Sequence, residues 1–231
     1  MTNKKLLFVV NVDWFFISHR LPIAIDAISQ GFEVHLICSD TGKLGQLANL
    51  GINIHEVPFS RSGNVFLNEL KTLICLRSLI SVIQPDILHA VTIKPVLYSG
   101  VLSHIIPTSF KFVAAISGLG YVFSADNVKA KIIKCFVTVL YKLAFKHKFK
   151  TIIFQNKTDQ DILSKVTSLK PSEKVLIKGS GVDLDLYTNT PEPLGNTIKI
   201  IMACRLLKEK GVYEFVEAAK LVKSTHPNVV F

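Results

Sequence analysis

The chain alternates short apolar runs with longer amphipathic segments from its first residues onward. Seven runs rich in Val, Ile and Leu are typical of strands covered on both faces: Leu6–Val12, Glu33–Ser39, Ile52–Val57, Asp86–Ala90, Phe112–Ile116, Ile152–Gln155 and Lys174–Lys178. The segments between them predict helices over Leu21–Gln30, Lys43–Leu50, Val65–Ile83, Pro95–Ile105, Val128–Lys146 and Lys157–Ser168. This alternation predicts an α/β fold, a doubly wound and mostly parallel sheet with right-handed crossovers.

The pattern breaks at YTNTPEPLGN, residues 187–196. Apolar residues have no regular spacing in this segment, which is typical of a linker. After it, a strand is predicted over Thr197–Ala203, a helix over Lys210–Ser224 and the start of a strand over Asn228–Phe231. A complete second α/β domain would need ~100 further residues. We therefore predict a first domain over residues 1–186, a linker over 187–196, and an incomplete second domain over 197–231.

Composition narrows the class of protein. Apolar residues make up 49% of the chain and charged residues 19%, so a well-buried core is expected. The 27 basic residues outnumber the 17 acidic ones, which favours phosphate groups, acidic lipid or nucleic acid as partners, although no nucleic-acid motif is present. The four cysteines are widely spaced, as expected of free thiols in the cytosol rather than of a metal site. No apolar run is long enough for a signal peptide or a membrane span.

Candidate ligand-binding residues follow the strands, because ligands of open α/β sheets collect at the carboxyl ends of strands. The candidates are Asn11, Asp13, Ser18, His19 and Arg20 after the first strand, His89, Thr92 and Lys94 after the fourth, Ser117, Gly118 and Gly120 after the fifth, Gly181 after the seventh, and Arg205 and Lys210 after the linker. Structural alternatives remain open for several of them. Asp13 or Ser18 can serve as a helix cap, His89 as a half-buried strand residue, and the glycines of GSGVD as a hinge.

Arg205 and Lys210 carry the most specific chemistry. They bracket the predicted start of a helix, where free backbone N–H groups and the helix dipole already favour an anion. This arrangement suits a diphosphate, and no cluster of aspartates nearby indicates a metal. The dinucleotide fingerprint GxGxxG is absent, since Phe123 stands where its last glycine belongs, which argues against a dinucleotide oxidoreductase.

The chain resembles bacterial family-4 glycosyltransferases of the GT-B fold in five segments: VNVDWFFISHRLPIAIDAISQGFEVHLIC, ISGLGYVF, FQNKTDQDIL, GSGVDLDLY and ACRLLKEKGVYEFVEAAKLV. The most similar group extends O-antigen, capsule or related glycans on a polyprenyl-diphosphate carrier. The resemblance implies two Rossmann-like domains, an N-terminal one for the acceptor and a C-terminal one for a UDP-sugar. It also implies transfer with retention of configuration and without a metal or other cofactor.

The resemblance assigns roles to particular residues. Arg205 and Lys210 would hold the donor diphosphate as it leaves. Independently of the resemblance, we expect Asp13 and His19 to line the acceptor end of the cleft, with Asp13 as a base or an orienting carboxylate. Many members carry a histidine just before the glycine turn after the fifth strand, but Ser117 stands there, so that role is not carried over. The family's paired glutamates, E-x₇-E, lie beyond the end of this chain.

A basic segment supports a membrane partner. Residues 127–150 hold seven lysines and no acidic residue. On a helix, the lysines 131, 134, 142 and 146 share one face, and an apolar face stands beside it. Such a helix can lie on anionic lipid, or pack on the sheet with a solvated lysine face.

The sequence therefore predicts a hexosyl- or N-acetylhexosaminyltransferase, peripheral on the inner face of the plasma membrane and incomplete alone. Its expected partners are a UDP-sugar, a polyprenyl-diphosphate acceptor, the anionic membrane surface and a second chain carrying the missing domain. The alternative is a non-catalytic subunit that anchors or presents a lipid-linked acceptor to a partner.

Overall fold

The computed structural model describes residues 3–47, 49–59, 65–107, 109–119, 123, 128–191 and 195–231. The chain divides into two compact units, Met1–Gly181 and Val182–Phe231. The residues predicted as a linker, 187–196, belong to the second unit.

Unit 1 is built on a parallel sheet that contains seven strands within the described residues. They are β1 Lys5–Val12, β2 Glu33–Ser39, β3 Ile52–Glu56, β4 Ile87–Val91, β5 Lys111–Ile116, β6 Lys150–Phe154 and β7 Lys174–Leu176. Their spatial order is β3-β2-β1-β4-β5-β6-β7, and every neighbouring pair is parallel. The strand order reverses between β1 and β4, which creates the switch point at which such sheets bind ligands.

Helices cover both faces of this sheet, as the predicted doubly wound fold requires. They are α1 Asp13–His19, α2 Leu21–Ser29, α3 Val65–Ile83, α4 Ile93–Leu102, α5 Val128–Ala144 and α6 Lys157–Thr167. Since successive strand residues point to opposite faces, β1 supplies Phe8 to one core and Leu7 to the other. The core on the Phe8 side contains Phe16 and Ala24 of α1 and α2. The core on the Leu7 side contains residues of α3 to α6.

Two local predictions are wrong. The helix predicted over Lys43–Leu50 is only a 3-10 turn, Leu44–Leu47. Just before this turn, the backbone N–H groups of Thr41 and Lys43 donate to the Asp13 carboxylate. Conversely, the polar turn expected after β1 contains the seven-residue helix α1, which is anchored by the fully buried ring of Phe16.

Helices α4 and α5 approach each other closely at Gly100. A Cβ atom placed on Gly100 would lie 2.4 Å from the Cβ of Ala144 and 2.8 Å from its Cα. Real Cβ atoms do not come this near to other atoms, so the crossing of these two helices depends on a glycine at this position.

Unit 2 is small and has little interior. It contains β8 Ile198–Lys199, α7 Val212–Thr225 and β9 Val229–Val230, and the two strands pair in parallel. Both strands are shorter than predicted. Phe215 packs edge-on against Phe231, with ring centroids 5.8 Å apart. Val229 is the only buried residue in the described part of this unit.

Candidate functional site

A cleft of about 350 Å³ opens where β1, β4 and β5 end, at the switch point of the sheet. Its described lining residues are Asn11, Phe59, Thr92, Ile93, Lys94, Ser117 and Gly118. Asn11 comes from β1, Ser117 and Gly118 follow β5, and Thr92 leads from β4 into α4. Five residues proposed from the sequence, Asn11, Thr92, Lys94, Ser117 and Gly118, are thus brought together, although their role in binding substrate remains a prediction.

Three oxygen atoms of the cleft residues have no hydrogen bond. They are Oδ1 of Asn11, Oγ1 of Thr92 and Oγ of Ser117, each closed off from water and without a partner among the described residues. A buried polar atom without a partner costs free energy, and in native proteins it usually indicates a water or ligand that completes the bond. The three unpartnered oxygens therefore mark this end of the sheet as a place where a bound polar molecule would complete their hydrogen bonds, after a small movement that exposes them.

Lys94 stands in the cleft wall as one half of an ion pair. Its ammonium contacts the carboxylate of Glu69, on α3, and the second oxygen of that carboxylate accepts a hydrogen bond from the Tyr98 hydroxyl. Burial, together with the hydrogen bond to Glu69 and its charge, raises the pKa of Tyr98, so the tyrosine stays protonated and donates. Glu69 thereby fixes the position of the Lys94 ammonium.

Gly118 adopts φ +144°, a conformation that disfavours any residue with a Cβ. Its neighbour Gly120, also predicted to bind substrate, lies outside the described residues. A second cavity, of about 520 Å³, opens at the opposite edge of the sheet near Lys4, Phe32 and Asp86. That edge carries the amino ends of strands, where open α/β sheets do not usually bind ligands.

Asp13 lies outside this cleft lining and is fully buried. Its carboxylate accepts hydrogen bonds from the backbone N–H groups of Trp14, Thr41 and Lys43 and from the Thr41 hydroxyl. Burial raises the pKa of Asp13, but these hydrogen bonds outweigh burial and lower the pKa to about 2. A carboxylate with so low a pKa is a weak base at neutral pH, so the arrangement favours an orienting or structural role. A catalytic role for Asp13 stays a prediction.

Arg20 is a buried cation at the corner between α1 and α2, 6% exposed. Its Nη1 donates to the His19 carbonyl over 2.7 Å and to the Ser180 hydroxyl over 3.2 Å, whereas its Nε has no partner among the described residues. Within those residues it forms no ion pair, and burial lowers its pKa. An anion would stabilise such a cation, so its predicted contact with substrate is physically reasonable but untested.

The other predicted residues of unit 1 lie apart from the cleft lining. His19 is stacked on Phe15, and its Nδ1 lies 2.5 Å from the Ser18 hydroxyl. His89 packs against Phe8 inside the fold; burial and then the charge of Arg20 lower its pKa to about 3, so its ring is neutral. Gly181 ends the unit with φ +76° and is exposed.

Arg205 and Lys210 lie in unit 2, immediately before α7. Lys210 ends a 3-10 turn, and Gly211, with φ +75°, serves as the N-cap of the helix. Both basic side chains are exposed, and neither forms an ion pair with any residue that the structure describes. Both residues precede the helix, which begins at Val212, and do not bracket its start as predicted. Diphosphate binding stays a prediction.

Helix α5 exposes an apolar stripe. Ile132 is 67% exposed, Phe136 64%, Val139 49% and Leu143 38%. The lysines at 131, 134, 142 and 146 are also exposed, and none of them is ion-paired within the described part of the chain. The exposed apolar stripe agrees with the interpretation in which this helix lies on lipid, and that role stays a prediction. Among the described helices, none is both long enough and apolar enough to cross a membrane.

Sequence reasoning missed some of the residues that form the cleft. Phe59 lies after β3, and Glu69 and Tyr98 reach Lys94 from helices, so no local motif marks them. Asn11 and Thr92, by contrast, were candidates from the sequence, because both stand in polar turns at the carboxyl ends of strands. The described residues contain no group of three or more His, Cys, Asp or Glu side chains placed to hold a metal ion.

The part of the chain that forms this cleft matches a known protein family. The profile described as glycosyl transferase 4-like matches residues 5–156, which cover most of unit 1. The chain belongs to the glycosyl transferase 4-like family. It is 26% identical over 219 residues to the N,N'-diacetylbacillosaminyl-diphospho-undecaprenol alpha-1,3-N-acetylgalactosaminyltransferase of Campylobacter jejuni. It is 25% identical over 215 residues to the UDP-Gal:alpha-D-GlcNAc-diphosphoundecaprenol alpha-1,3-galactosyltransferase of Escherichia coli.

These alignments cover 88% of this chain, but only 57% of the Campylobacter protein and 54% of the Escherichia coli protein. The chain thus spans about half the length of the curated relatives it matches.

Solved structures share the fold of this family member. A glycosyltransferase from Rickettsia africae aligns with a TM-score of 0.63 at 20% identity, over 96% of this chain and 59% of its own. Anabaena Alr3699/HepE, solved with UDP and glucose, aligns with a TM-score of 0.66 at 15% identity, over 99% of this chain and 60% of its own. A putative UDP-N-acetylglucosamine 2-epimerase from Listeria monocytogenes aligns with a TM-score of 0.65. The fold is therefore common to transferases and epimerases, and it does not by itself decide the reaction.

Proposed function

We propose that this chain is the acceptor-binding part of a glycosyltransferase that moves a sugar from a UDP-sugar to a glycan carried on a polyprenyl diphosphate. The observation that carries the proposal is the cleft at the switch point, which lies inside the region matched by the glycosyl transferase 4-like family. Both curated relatives are named for transfer to undecaprenol-linked diphosphate acceptors, which supports this acceptor class.

In this proposal, unit 2 contributes to the donor site. Arg205 and Lys210 precede the start of α7, where backbone N–H groups favour an anion. Two cations placed at the leaving diphosphate would stabilise the charge that develops there as the sugar departs. We expect this step to need no metal ion and no other cofactor.

The proposed acceptor is linked to a lipid, and α5 has a surface that suits contact with a membrane. Its exposed apolar stripe would enter the headgroup region of a bilayer, and the neighbouring lysines would attract anionic lipid. We propose that this helix holds the protein on the cytoplasmic face of the plasma membrane. The free thiols of all four cysteines agree with that reducing compartment.

A transfer assay tests the reaction. The chain would be assayed alone and with the C-terminal remainder of the Campylobacter relative, either fused to it or supplied in trans, using radiolabelled UDP-sugars and polyprenyl-diphosphate-linked acceptors. We expect transfer from the completed protein and none from the chain alone. Arg205→Ala in the completed protein should cost ~2–4 kcal/mol of transition-state stabilisation.

The intact relative serves as the positive control of this assay. If it transfers sugar under the same conditions and the completed protein transfers none from any UDP-sugar, the catalytic proposal fails. Acceptor binding without any transfer would favour the alternative, a subunit that presents a lipid-linked acceptor to a partner. That alternative is favoured by one observation, that the described lining of the cleft lies wholly within unit 1.

Vesicle co-sedimentation tests the membrane surface. Replacing the lysines 131, 134 and 142 of α5, together with Lys146 just after it, by Gln should weaken binding to anionic vesicles by about 1 kcal/mol per charge that reaches the surface. The matched control replaces four exposed lysines outside α5, at positions 4, 43, 165 and 170, and alters net charge equally. Equal losses in both variants would mean that overall charge, rather than α5, attracts the protein to lipid.

A further inference from the structure

Thr92 combines three unusual properties at one point of the cleft. Its backbone has φ +74° and ψ +168°, a region that a β-branched residue rarely occupies. It is the N-cap of α4, yet its hydroxyl makes none of the hydrogen bonds by which a capping threonine usually satisfies the helix. The same hydroxyl is buried without a partner among the described residues.

Each property costs stability. A strained backbone conformation, an unused cap and an unsatisfied hydroxyl each disfavour the folded state. Strain of this kind persists where the surrounding structure enforces it, and it clusters at ligand-binding positions. Thr92 follows β4, which lies between β1 and β5 in the sheet. Asn11 and Ser117, which line the same cleft, each also have a buried oxygen without a partner.

The charges of the cleft indicate what it binds. Among its described lining residues Lys94 is the charged one, and Glu69 neutralises it in an ion pair. A phosphate would have to compete with the Glu69 carboxylate for this ammonium. A neutral molecule with several hydroxyl groups meets no such competition, and it can bond the oxygens of Asn11, Thr92 and Ser117 while Phe59 and Ile93 face its apolar side.

We propose that this cleft holds a sugar ring of the acceptor rather than its diphosphate, and that Thr92 is a specificity-determining residue whose strained backbone aims its hydroxyl at that ring. The assignment of the ring to an acceptor rests on the proposed function. The binding of a neutral sugar does not, so the two can fail separately. The cleft volume of about 350 Å³ lies within the range of small-molecule sites.

The experiment is an NMR titration of the 231-residue chain. The probes are the methyl glycosides of GlcNAc, GalNAc, glucose and galactose, with inorganic pyrophosphate as the anionic probe. We expect at least one glycoside to shift the resonances of Asn11, Thr92 and Ser117, and pyrophosphate to leave them in place. Pyrophosphate shifting these residues in preference to all four glycosides, or no glycoside binding at the highest soluble concentration, would overturn the proposal.

Thr92→Gly provides the decisive variant. Glycine adopts φ +74° without strain, so the midpoint of thermal unfolding should rise while glycoside affinity falls by roughly tenfold or more. Thr92→Ser, which keeps the hydroxyl, should recover part of the lost affinity, and Ser117→Ala should weaken binding without the gain in stability. Unchanged glycoside affinity in Thr92→Gly contradicts the role of Thr92.

The transfer assay separates the two proposals. If the completed protein transfers sugar equally well with Thr92→Gly, the role of Thr92 is wrong and the proposed function stands. If the chain binds glycosides through Thr92 but the completed protein transfers nothing, the sugar site stands and the proposed function is wrong.

Discussion

Both carboxylate oxygens of Asp13 accept hydrogen bonds, and the donors come from two separate segments of unit 1. Oδ1 is bonded by the Trp14 N–H over 2.6 Å and by the Thr41 hydroxyl. Oδ2 is bonded by the N–H groups of Thr41 and Lys43, over 2.8 and 2.9 Å. Asp13 thereby ties the end of β1 to the loop after β2, next to the edge of the sheet where the cleft opens.

Asp13→Asn should destabilise the protein. The amide would turn its NH₂ group toward at least one of these N–H donors and leave a buried donor unsatisfied, at a cost of about 2–3 kcal/mol. Urea unfolding measures this loss. The control is Asp26→Asn on the exposed side of α2, which should stay within about 0.5 kcal/mol of the wild type. A fully stable Asp13→Asn protein that loses turnover would instead support the predicted catalytic role.

His89 should make stability depend on pH. Its pKa is about 3 in the fold, against 6.5 when unperturbed, because burial and then the charge of Arg20 oppose protonation. Below pH 6.5 the unfolded chain therefore binds a proton that the folded chain does not bind until about pH 3. Stability is complete above pH 6.5 and should fall by roughly 1.4 kcal/mol per pH unit below it.

Thermal unfolding at several pH values between 7.5 and 4 measures this dependence for His89→Phe, which keeps a ring against Phe8 but cannot titrate. Burial also lowers the pKa values of His55 and His147. The stability of the variant should therefore depend less on pH than that of the wild type, but some dependence should remain. Exposed His226→Gln is the control. A slope in His89→Phe equal to that of the wild type would mean that His89 does not carry the effect.

At the scale of elements, the crossing of α4 and α5 gives a clear test. Glycine to alanine usually stabilises a helix by up to about 1 kcal/mol. At Gly100 the new methyl group would meet the backbone of Ala144, so Gly100→Ala should instead destabilise the fold by about 1–3 kcal/mol. Gly45→Ala, whose Cβ would meet no atom within 4 Å, is the matched control in a urea melt. Equal effects of the two substitutions would show that the helices separate readily.

The strands and long helices were predictable because their signal is local. Runs of Val, Ile and Leu predict covered parallel strands, and seven of seven such runs in unit 1 correspond to β1 to β7. The false helix at Lys43–Leu50 and the missed α1 lie at the two ends of one long-range contact that no local pattern carries. A single carboxylate, Asp13, takes the N–H groups of a loop 28 and 30 residues away.

The site was predictable only in part, for a similar reason. Strand-end positions pointed to five lining residues, because parallel strands bring their carboxyl ends to one edge: Asn11, Thr92, Lys94, Ser117 and Gly118. The contact of Glu69 with Lys94 spans 25 residues and joins two helices, so it appears only in three dimensions. The backbone strain at Thr92 is likewise invisible in the sequence, since threonine is a common residue in strand ends and caps.

At the scale of the whole molecule, the two units differ in how much interior they possess. Unit 1 has two extensive cores, whereas unit 2 buries Val229 alone among its described residues. Amide hydrogen exchange should therefore be slow in β1, β4 and β5 and fast throughout α7, because local opening costs little where few apolar contacts are lost. The strands of unit 1 are an internal control for exchange conditions. Protection in α7 as strong as in those strands would contradict this expectation.

The contact between Gly100 and Ala144 also joins the helix of the cleft wall to the helix that carries the exposed apolar stripe. Helix α4 begins with Ile93 and Lys94 in the cleft wall, and two turns later its backbone meets the last residue of α5. Backbones in such close contact cannot slide past each other without first moving apart. If α5 lies on a bilayer as proposed, the cleft stands at a fixed height above the lipid headgroups. The helix pair would then select acceptors by the distance between their sugar and the membrane surface. An acceptor whose sugar lies too close to its lipid, or too far from it, would not reach the cleft.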